Sequence, residues 1–518
     1  MSPRPRRAAL LIAGLNFGGK VLAIGKTLIV ASLFGTSSAL DAFWVAYSLP
    51  LLLPSLLTNT LTVAFVPRFV AGLHGRYGPQ AWRGANTLFT LVLAIGVLCS
   101  LLMYAAAPFL VAHMAPGLDD ATRTAAVEMS RWLLPCVVVL VASSLLSALS
   151  YARERFVLPS LEGIVTNIAV IAVALGFARH WGVRALTVGV IIGFLIQAAL
   201  LFAGNRDLIR SSLRPAWDLQ HPDLRGPLAH LLPLFVGSAG SVLSGLVDQY
   251  FVSSLDAGSI SALSYAWMLG LLPVEIFAQA VLTSYYPALA RGFAAEDKTA
   301  AALTYAQGAR FLLLLTLPCT VLLALLARPM VVFLLEHGRF DAHSTELTVE
   351  AMSLLALAVV TRAHAYFSYR ALHAAIHPWT QIAIGLAGVA TCIGLNLLWA
   401  RRLGLAGIAL STVLSSLQSA VLSTWAVYRL IGRRWPAGFV AEITSLGLCG
   451  AVLAAGVAGG LALVPESLRA VSPLLWALAC GCSALPALAL SGWIAWRLGQ
   501  VELREAWTAL QRRRQTAI

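Results

Sequence analysis

Apolar runs of roughly 20 to 30 residues follow one another along the whole chain, parted by short polar breaks. No stretch keeps the two-residue alternation of half-buried strands, and runs of this length are long enough to cross the hydrocarbon core as helices. They place spans at about 8–34, 40–67, 84–112, 129–151, 157–178, 182–204, 227–254, 262–287, 303–334, 347–373, 380–400, 405–431, 438–463 and 471–497. The predicted fold class is therefore all-α, a polytopic membrane protein of about 14 transmembrane helices. The start, MSPRPRRAALLIAGLNFGGK, carries a basic head before its apolar run, but Lys20 and Lys26 interrupt that run and no small-residue cleavage site follows. An uncleaved first span is expected.

The pattern repeats. Residues 31–50 read ASLFGTSSALDAFWVAYSLP and residues 253–273 read SSLDAGSISALSYAWMLGLLP, which pairs Gly35 with Gly258, Trp44 with Trp267 and Pro50 with Pro273. Chance similarity between two apolar stretches is the alternative. The repeat favours two six-helix lobes: residues 1–205, then a polar cytoplasmic linker at 206–226, then 227–431. Two extra helices follow over 432–499, with a basic tail at 500–518.

Only 11% of the residues are charged, against about 25% in soluble domains, and 59% are hydrophobic. The net charge of +14 comes from basic residues scattered singly or in small groups between the apolar runs, not from one stripe, so it is read as loop anchoring and not as nucleic-acid binding. Groups such as Arg4, Arg6 and Arg7, then Arg206, Arg210 and Arg214, fall on alternate loops and outnumber those on the other side by about three to one. That bias puts both termini in the cytoplasm. Arg401 and Arg402 fall on the wrong side, which makes spans eleven and twelve the weakest of the series. The seven cysteines all lie in apolar runs, where packing explains them.

Ionisable residues inside spans are costly and usually border a cavity. Lys20 and Lys26 in the first span stand six residues apart, both able to edge one wide cavity; the alternative for Lys20 is that it snorkels to an interface. Asp41 opens the second span, where a carboxylate also suits a helix N-terminus. Asp248 lies within the seventh span and Glu275 within the eighth, so either is a candidate for a coupling ion or proton, or for a structural partner. Arg362 and His364 in the tenth span add positive charge to a central cavity or mark its cytoplasmic end. Pro50 and Pro54 in the second span and Pro273 in the eighth are expected to interrupt their helices at matched places, as hinges beside a central site. No phosphate loop G-x-x-x-x-G-K-[ST], no H-E-x-x-H and no G-x-S-x-G is present. These readings favour a transporter over an enzyme, with no organic cofactor.

The stretch GKVLAIGKTLIVASLFGTSSALDAFWVAYSLPLLLPSLL, with VDQYFVSSLDAGSISALSYA, VVFLLEHGRFDA and YFSYRALHAAIHPWTQIAI, resembles the MviN-type lipid II flippases of the multidrug/oligosaccharidyl-lipid/polysaccharide exporter superfamily. The resemblance implies two pseudo-symmetric lobes, a cationic central cavity, and a groove between the last two spans for a polyprenyl tail. It matches the family's two first-span arginines to Lys20 and Lys26, its second-span aspartate to Asp41, and a sodium-site aspartate to Asp248, with Asn396 and Thr412 as further sodium-site positions. Departures stand beside these matches. The family's arginine pair after the second-span Leu-Pro is Pro54 and Ser55, its eighth-span arginine and glutamate are Met268 and Leu271, and a further sodium-site carboxylate is Ala400.

The implied function is flipping a lipid-linked glycan precursor across a bacterial inner membrane, by a monomer whose partners are that substrate and the membrane lipids, with sodium, protons or the membrane potential as driving force. A cation-coupled drug antiporter of the same superfamily, a membrane glycosyltransferase or polymerase, and a non-transporting scaffold are the alternatives.

Overall fold

The computed structural model describes residues 3–73, 79–218 and 242–497. The far part of the 206–226 linker, the beginning of the seventh span, the 500–518 tail, and the side chains of Arg4, Arg6, Arg7 and Ser55 lie outside the described residues. Among the described residues there is helix, turn and loop but no strand. Helices fall on every expected span position, the seventh over its described part. Nine described helices are long and apolar enough to cross a membrane, or up to eleven if each of two bent pairs counts as one span.

The chain groups into two compact units, residues 1–261 with 337–340, and residues 262–336 with 341–518. The first contains α1 (Pro3–Phe34), α2 (Ser38–Leu73), α3 (Pro79–Ala105), α4 (Ala107–Met114), α5 (Asp120–Leu133), α6 (Cys136–Ala152), α7 (Val157–Ser160), α8 (Glu162–Trp181), α9 (Arg184–Gly204), α10 (Arg206–Ser211) and α11 (Val242–Val252). The first turn of α12 (Ser259–Pro273) also belongs to it. The second holds the rest of α12, then α13 (Gln279–Ala294), α14 (Lys298–Leu325), α15 (Ala327–Leu334), α16 (Ala342–Leu355) and α17 (Ala358–Ala374). It ends with α18 (Pro378–Leu430), α19 (Phe439–Ala462), α20 (Ser467–Val471) and α21 (Pro473–Arg497).

Lipid tails are as apolar as leucine, so helices in a bilayer gain little by hiding leucines from it and associate where small residues let backbones approach. Gly189 and Gly193, one turn apart on α9, meet α8 so closely that a Cβ on either would stand 2.8 Å from the Cα of Val170 or Thr166. Gly456 and Gly460 do the same on α19, where added Cβ atoms would stand 2.7 Å from the Ala487 Cβ and from the Ser483 carbonyl of α21. Large apolar side chains such as Leu101, Leu175, Leu397, Leu448 and Leu485 are left exposed instead. Arginines cover aromatic rings near helix ends, as Arg184 does Trp132, Arg429 does Trp425 and Arg497 does Trp493, the arrangement that suits a membrane–water interface.

α18 spans 53 residues without a coil break, yet it is two helices folded back at Gly404, whose φ of 56° and ψ of −135° lie outside helical space. Gly388 packs against Ser419, which sets the two halves antiparallel and resolves the eleventh and twelfth spans as separate helices. Gly182 turns α8 into α9 with nearly the same backbone angles, φ 56° and ψ −140°. Asp119 caps α5 and Asp341 caps α16, each by accepting from the backbone three residues on.

On the first unit's polar rim, Arg153 grips Asp207 with both guanidinium arms, at 2.9 and 2.6 Å. Hydrogen bonding to Arg153 draws the Asp207 carboxyl from 3.8 down to about 2.

Two outcomes are expected. Gly193→Leu and Gly460→Leu should each destabilise the purified protein by about 1–3 kcal/mol, since a side chain there must push two backbones apart; an unchanged melting temperature in detergent would contradict the close seams. Because the folded Asp207 carboxyl sits below its unfolded value, its contribution is full above the unfolded value and lost as pH falls through about 2. The melting difference between wild type and Asp207→Asn should accordingly stay level from about pH 7 to about pH 5 and shrink below about pH 4.

Candidate functional site

Each unit carries its own polar interior. In the first, α1 runs beside α8 in the same direction: Leu11 and Ile12 share a groove with Val157 and Leu158, and further on Gly19 meets Gly163 and Ile164. Asn167 fixes the register by donating its amide to the Gly19 carbonyl at 3.2 Å. Lys20 follows that contact and is exposed, whereas Lys26 is half-buried two turns above Gly19. Both lysines belong to the first unit, and so does Asp248, which is buried in α11.

Asp41 lies in the first turn of α2, but its carboxylate serves another helix. It accepts from the Gly258 amide at 2.6 Å, the Ser261 amide at 2.7 Å and the Ser261 hydroxyl, and so caps the beginning of α12. The capping expected of Asp41 is there, directed across a turn instead of along its own helix. Three donors on a buried carboxylate build Asp41 into the wall of the first unit. The same end of the unit is closed by backbone: Gly258 abuts the Thr36 carbonyl, Gly117 the Ser253 carbonyl and Gly338 the Ser32 carbonyl. None of these glycines has room for a side chain.

In the second unit Arg362 of α17 stacks over the Trp267 ring of α12 with 4.2 Å to its centroid. Thr361, His364 and Ser368 share a face of α17 and bind Ser416 at 2.8 Å, Thr424 at 2.8 Å and Tyr305 at 2.7 Å. The protons of this seam can be placed by elimination. Thr424 gives its hydroxyl hydrogen to the Ala420 carbonyl, so it accepts from the His364 Nε2–H. Ser368 gives its own to the His364 carbonyl, so it accepts from the Tyr305 hydroxyl. His364 is thereby tied into a neutral network, with Nδ1 buried and unpartnered among the described residues.

Asn396 and Thr412, both fully buried, fall on opposite halves of the α18 hairpin, and the Gly388–Ser419 contact sets them across from each other. The Asn396 amide nitrogen reaches the Cys392 sulfur at 3.6 Å, and its Oδ1 has no partner among the described residues. An orphaned buried oxygen fits part of an oxygen-lined cation site, though the Ala400 side chain offers nothing to it. Glu275 is exposed in a π-helical turn, Val274–Ala278, that directly follows Pro273. The helix does not end there but runs on from Ser259 to Ala294 through that turn. Pro50 and Pro54 lie buried inside α2, which runs on to Leu73: a missing amide donor inside a bundle is accommodated without ending the helix.

The sequence reading passed over three residues. Glu162 opens α8, and its carboxylate makes no hydrogen bond or ion pair among the described residues. The phenols of Tyr47 on α2 and Tyr151 on α6 both feel its charge. A carboxylate in the first turn of a helix reads from sequence as an ordinary dipole partner, so nothing in the pattern distinguished it.

Comparisons with known proteins bear on this arrangement. A family model described as lipid II flippase MurJ matches residues 30–476. A lipid II flippase MurJ of Burkholderia cenocepacia is 28% identical over 363 residues, covering 68% of this chain and 70% of that protein. A probable lipid II flippase MurJ of Vibrio cholerae is 25% identical over 447 residues and 82% of each chain. Among solved structures, a lipid II flippase MurJ in an inward closed conformation superposes with a TM-score of 0.78 at 19% identity, covering 93% of this chain and 98% of that one. An inward-facing multidrug resistance MATE family transporter of the MOP superfamily gives 0.65 at 14% identity, over 82% and 98%. With the family model spanning all but the two ends of an all-helical membrane protein, this chain belongs to the MurJ lipid II flippase family.

Proposed function

We propose that this protein is a flippase that carries a polyprenyl-diphosphate-linked glycan precursor, lipid II or a related cell-wall or exopolysaccharide intermediate, from the cytoplasmic to the outer leaflet by alternating access. The observation that carries this reading is the family match over residues 30–476, joined to a first span that keeps two basic residues. It favours a lipid-linked substrate over a drug or a glycosyl donor. The protein is a transporter and not an enzyme.

Lys20 and Lys26 supply positive charge for the diphosphate. Lysine is a point charge without the forked grip of a guanidinium, so the two lysines attract phosphate without fixing its orientation. Arg362 is a further substrate-binding candidate, its guanidinium carried over the Trp267 ring. The lobe layout in this reading follows the repeat, with residues 1–205 and 227–431 as rocking halves joined by 206–226. Residues 432–499 offer the groove for the lipid tail. Three features of the second unit support that last assignment: the Gly456–Gly460 seam, the 2.6 Å ion pair of Arg310 with Glu442, and the Arg469–Glu336 pair anchor the α19–α21 hairpin.

The protein acts as a monomer in a bacterial inner membrane, with both termini in the cytoplasm. For coupling we assign sodium, with Asp248, Asn396 and Thr412 as its residues; Glu275 is the candidate if protons serve instead. The membrane potential adds about 2.3 kcal/mol per elementary charge per 100 mV to any step that moves net charge.

Two measurements test the reading. In cells depleted of their own lipid II flippase, the wild-type chain should restore growth, and Lys20→Ala combined with Lys26→Ala should abolish rescue at unchanged expression; rescue by the double variant sinks the anion site. In proteoliposomes, replacing sodium by potassium should slow transport at least tenfold, and Asp248→Asn should remove that sodium dependence, whereas equal rates in the two salts rule out sodium coupling.

A further inference from the structure

The positive charge of this chain gathers on one set of alternate loops, and Arg401 and Arg402 depart from that sorting. Basic residues are normally kept from the far side of a membrane, so a pair placed there needs a physical reason. The α18 hairpin shows where the pair stands. Along its first half, residues 378–403, Cys392, Asn396 and Ala400 are buried, whereas Ile393, Leu397, Leu398, Arg401 and Arg402 are exposed. Positions four apart share a helix face, so the exposed residues form one stripe that looks away from the bundle. Leu397 and Leu398, exposed by 66% and 63%, belong in lipid. Arg401 and Arg402 follow them by one turn, about 6 Å further along the axis. Arginines so close to hydrocarbon lay their stems over the leucines and carry their guanidinium groups to the level of lipid phosphates.

This end of the helix is held in place. Gly404 turns the chain at once, and Gly407 lies so near Trp399 that a Cβ there would stand 2.6 Å from the Trp399 carbonyl oxygen. Among the described residues neither arginine makes an ion pair or a hydrogen bond. Carboxylates of the neighbouring α16 are committed elsewhere: Glu350 accepts from the Ala406 amide at 3.0 Å, and Glu346 pairs with Arg328 at 2.9 Å. The C-terminal end of a helix favours cations, so the pair is tolerated without a carboxylate and both guanidinium forks are left for an anion.

An anion beside exposed leucines at a membrane surface is a lipid phosphate. We propose that Arg401 and Arg402 hold the phosphate of an anionic phospholipid whose acyl chains lie along Ile393, Leu397 and Leu398. A zwitterionic lipid brings its own ammonium to that phosphate and competes with the guanidinium groups; an anionic head group does not. The site is separate from the substrate-binding residues assigned above. Its placement in the outer leaflet rests on the orientation that belongs to the flippase reading.

The test uses the full-length chain with a photoreactive benzophenone amino acid in place of Leu398, in nanodiscs of mixed phosphatidylcholine and phosphatidylglycerol. Lipids attached at that position after illumination are identified by mass spectrometry. Phosphatidylglycerol should be enriched about fivefold over its share of the bilayer. Arg401→Gln with Arg402→Gln should return the attached lipids to the bilayer ratio, and Arg401→Lys with Arg402→Lys should keep part of the enrichment. Arg433→Gln with Arg434→Gln, beyond the far end of α18, should leave it unchanged. A bilayer ratio in wild type overturns the site, and so does enrichment that survives the glutamine pair. Without the photoreactive residue, added phosphatidylglycerol should raise the melting temperature of the wild-type chain in detergent more than that of the glutamine pair; equal gains overturn the site as well. The leaflet is read separately: an impermeant thiol reagent applied to spheroplasts should label Leu403→Cys above the wild-type background. Protection of that cysteine would overturn the assigned orientation and the outer-leaflet placement with it, while the lipid selectivity in nanodiscs would stand.

Discussion

Inside hydrocarbon no water is present to satisfy a peptide group, and this constraint shapes the molecule at every level. It requires that spans be helices, which close their own backbone hydrogen bonds, and it makes each departure from a helix a place where something else must supply a partner. The departures here are few and are answered locally. Gly404 and Gly182 reverse the chain in one residue, and the π-turn after Pro273 absorbs the amide that proline lacks. Where the start of α12 would leave its first amides without acceptors, the Asp41 carboxylate accepts from them.

The same constraint explains how the helices are held. Burial of leucine gives little advantage over lipid, so contact depends on closeness and on polar seams. Gly189 and Gly193 bring α9 onto the α8 backbone, and Gly456 and Gly460 bring α19 onto α21. In the second unit the Tyr305, His364, Ser368 and Thr424 side chains form a seam in which every hydrogen has a definite destination. Such a network holds α14, α17 and α18 together through partners that lipid cannot replace.

Against this neutral background the charged interior groups stand out. Lys20 is exposed on α1 in the first unit, and Arg362 lies over the Trp267 ring in the second. The chain belongs to a family named for moving lipid II, and its first span carries the two lysines Lys20 and Lys26.

Much of this was legible in the chain itself. The length of the apolar runs set the fold class and the places of the helices, because a span is defined by a local quantity, the number of consecutive residues that tolerate lipid. Even the doubtful region at Arg401 and Arg402 was correctly divided, since Gly404 was available to turn it. The repeat of Gly35, Trp44 and Pro50 in Gly258, Trp267 and Pro273 was visible for the same reason. What the periodicity could not convey was partnership. Asp41 reads as a cap for its own helix and instead caps α12, and Pro50 and Pro54 read as breaks and instead lie within α2. A residue's tolerance for lipid is fixed by its own chemistry and by its near neighbours along the chain. Which group it meets depends on the register between helices far apart in sequence, and that register exists only once the helices have packed.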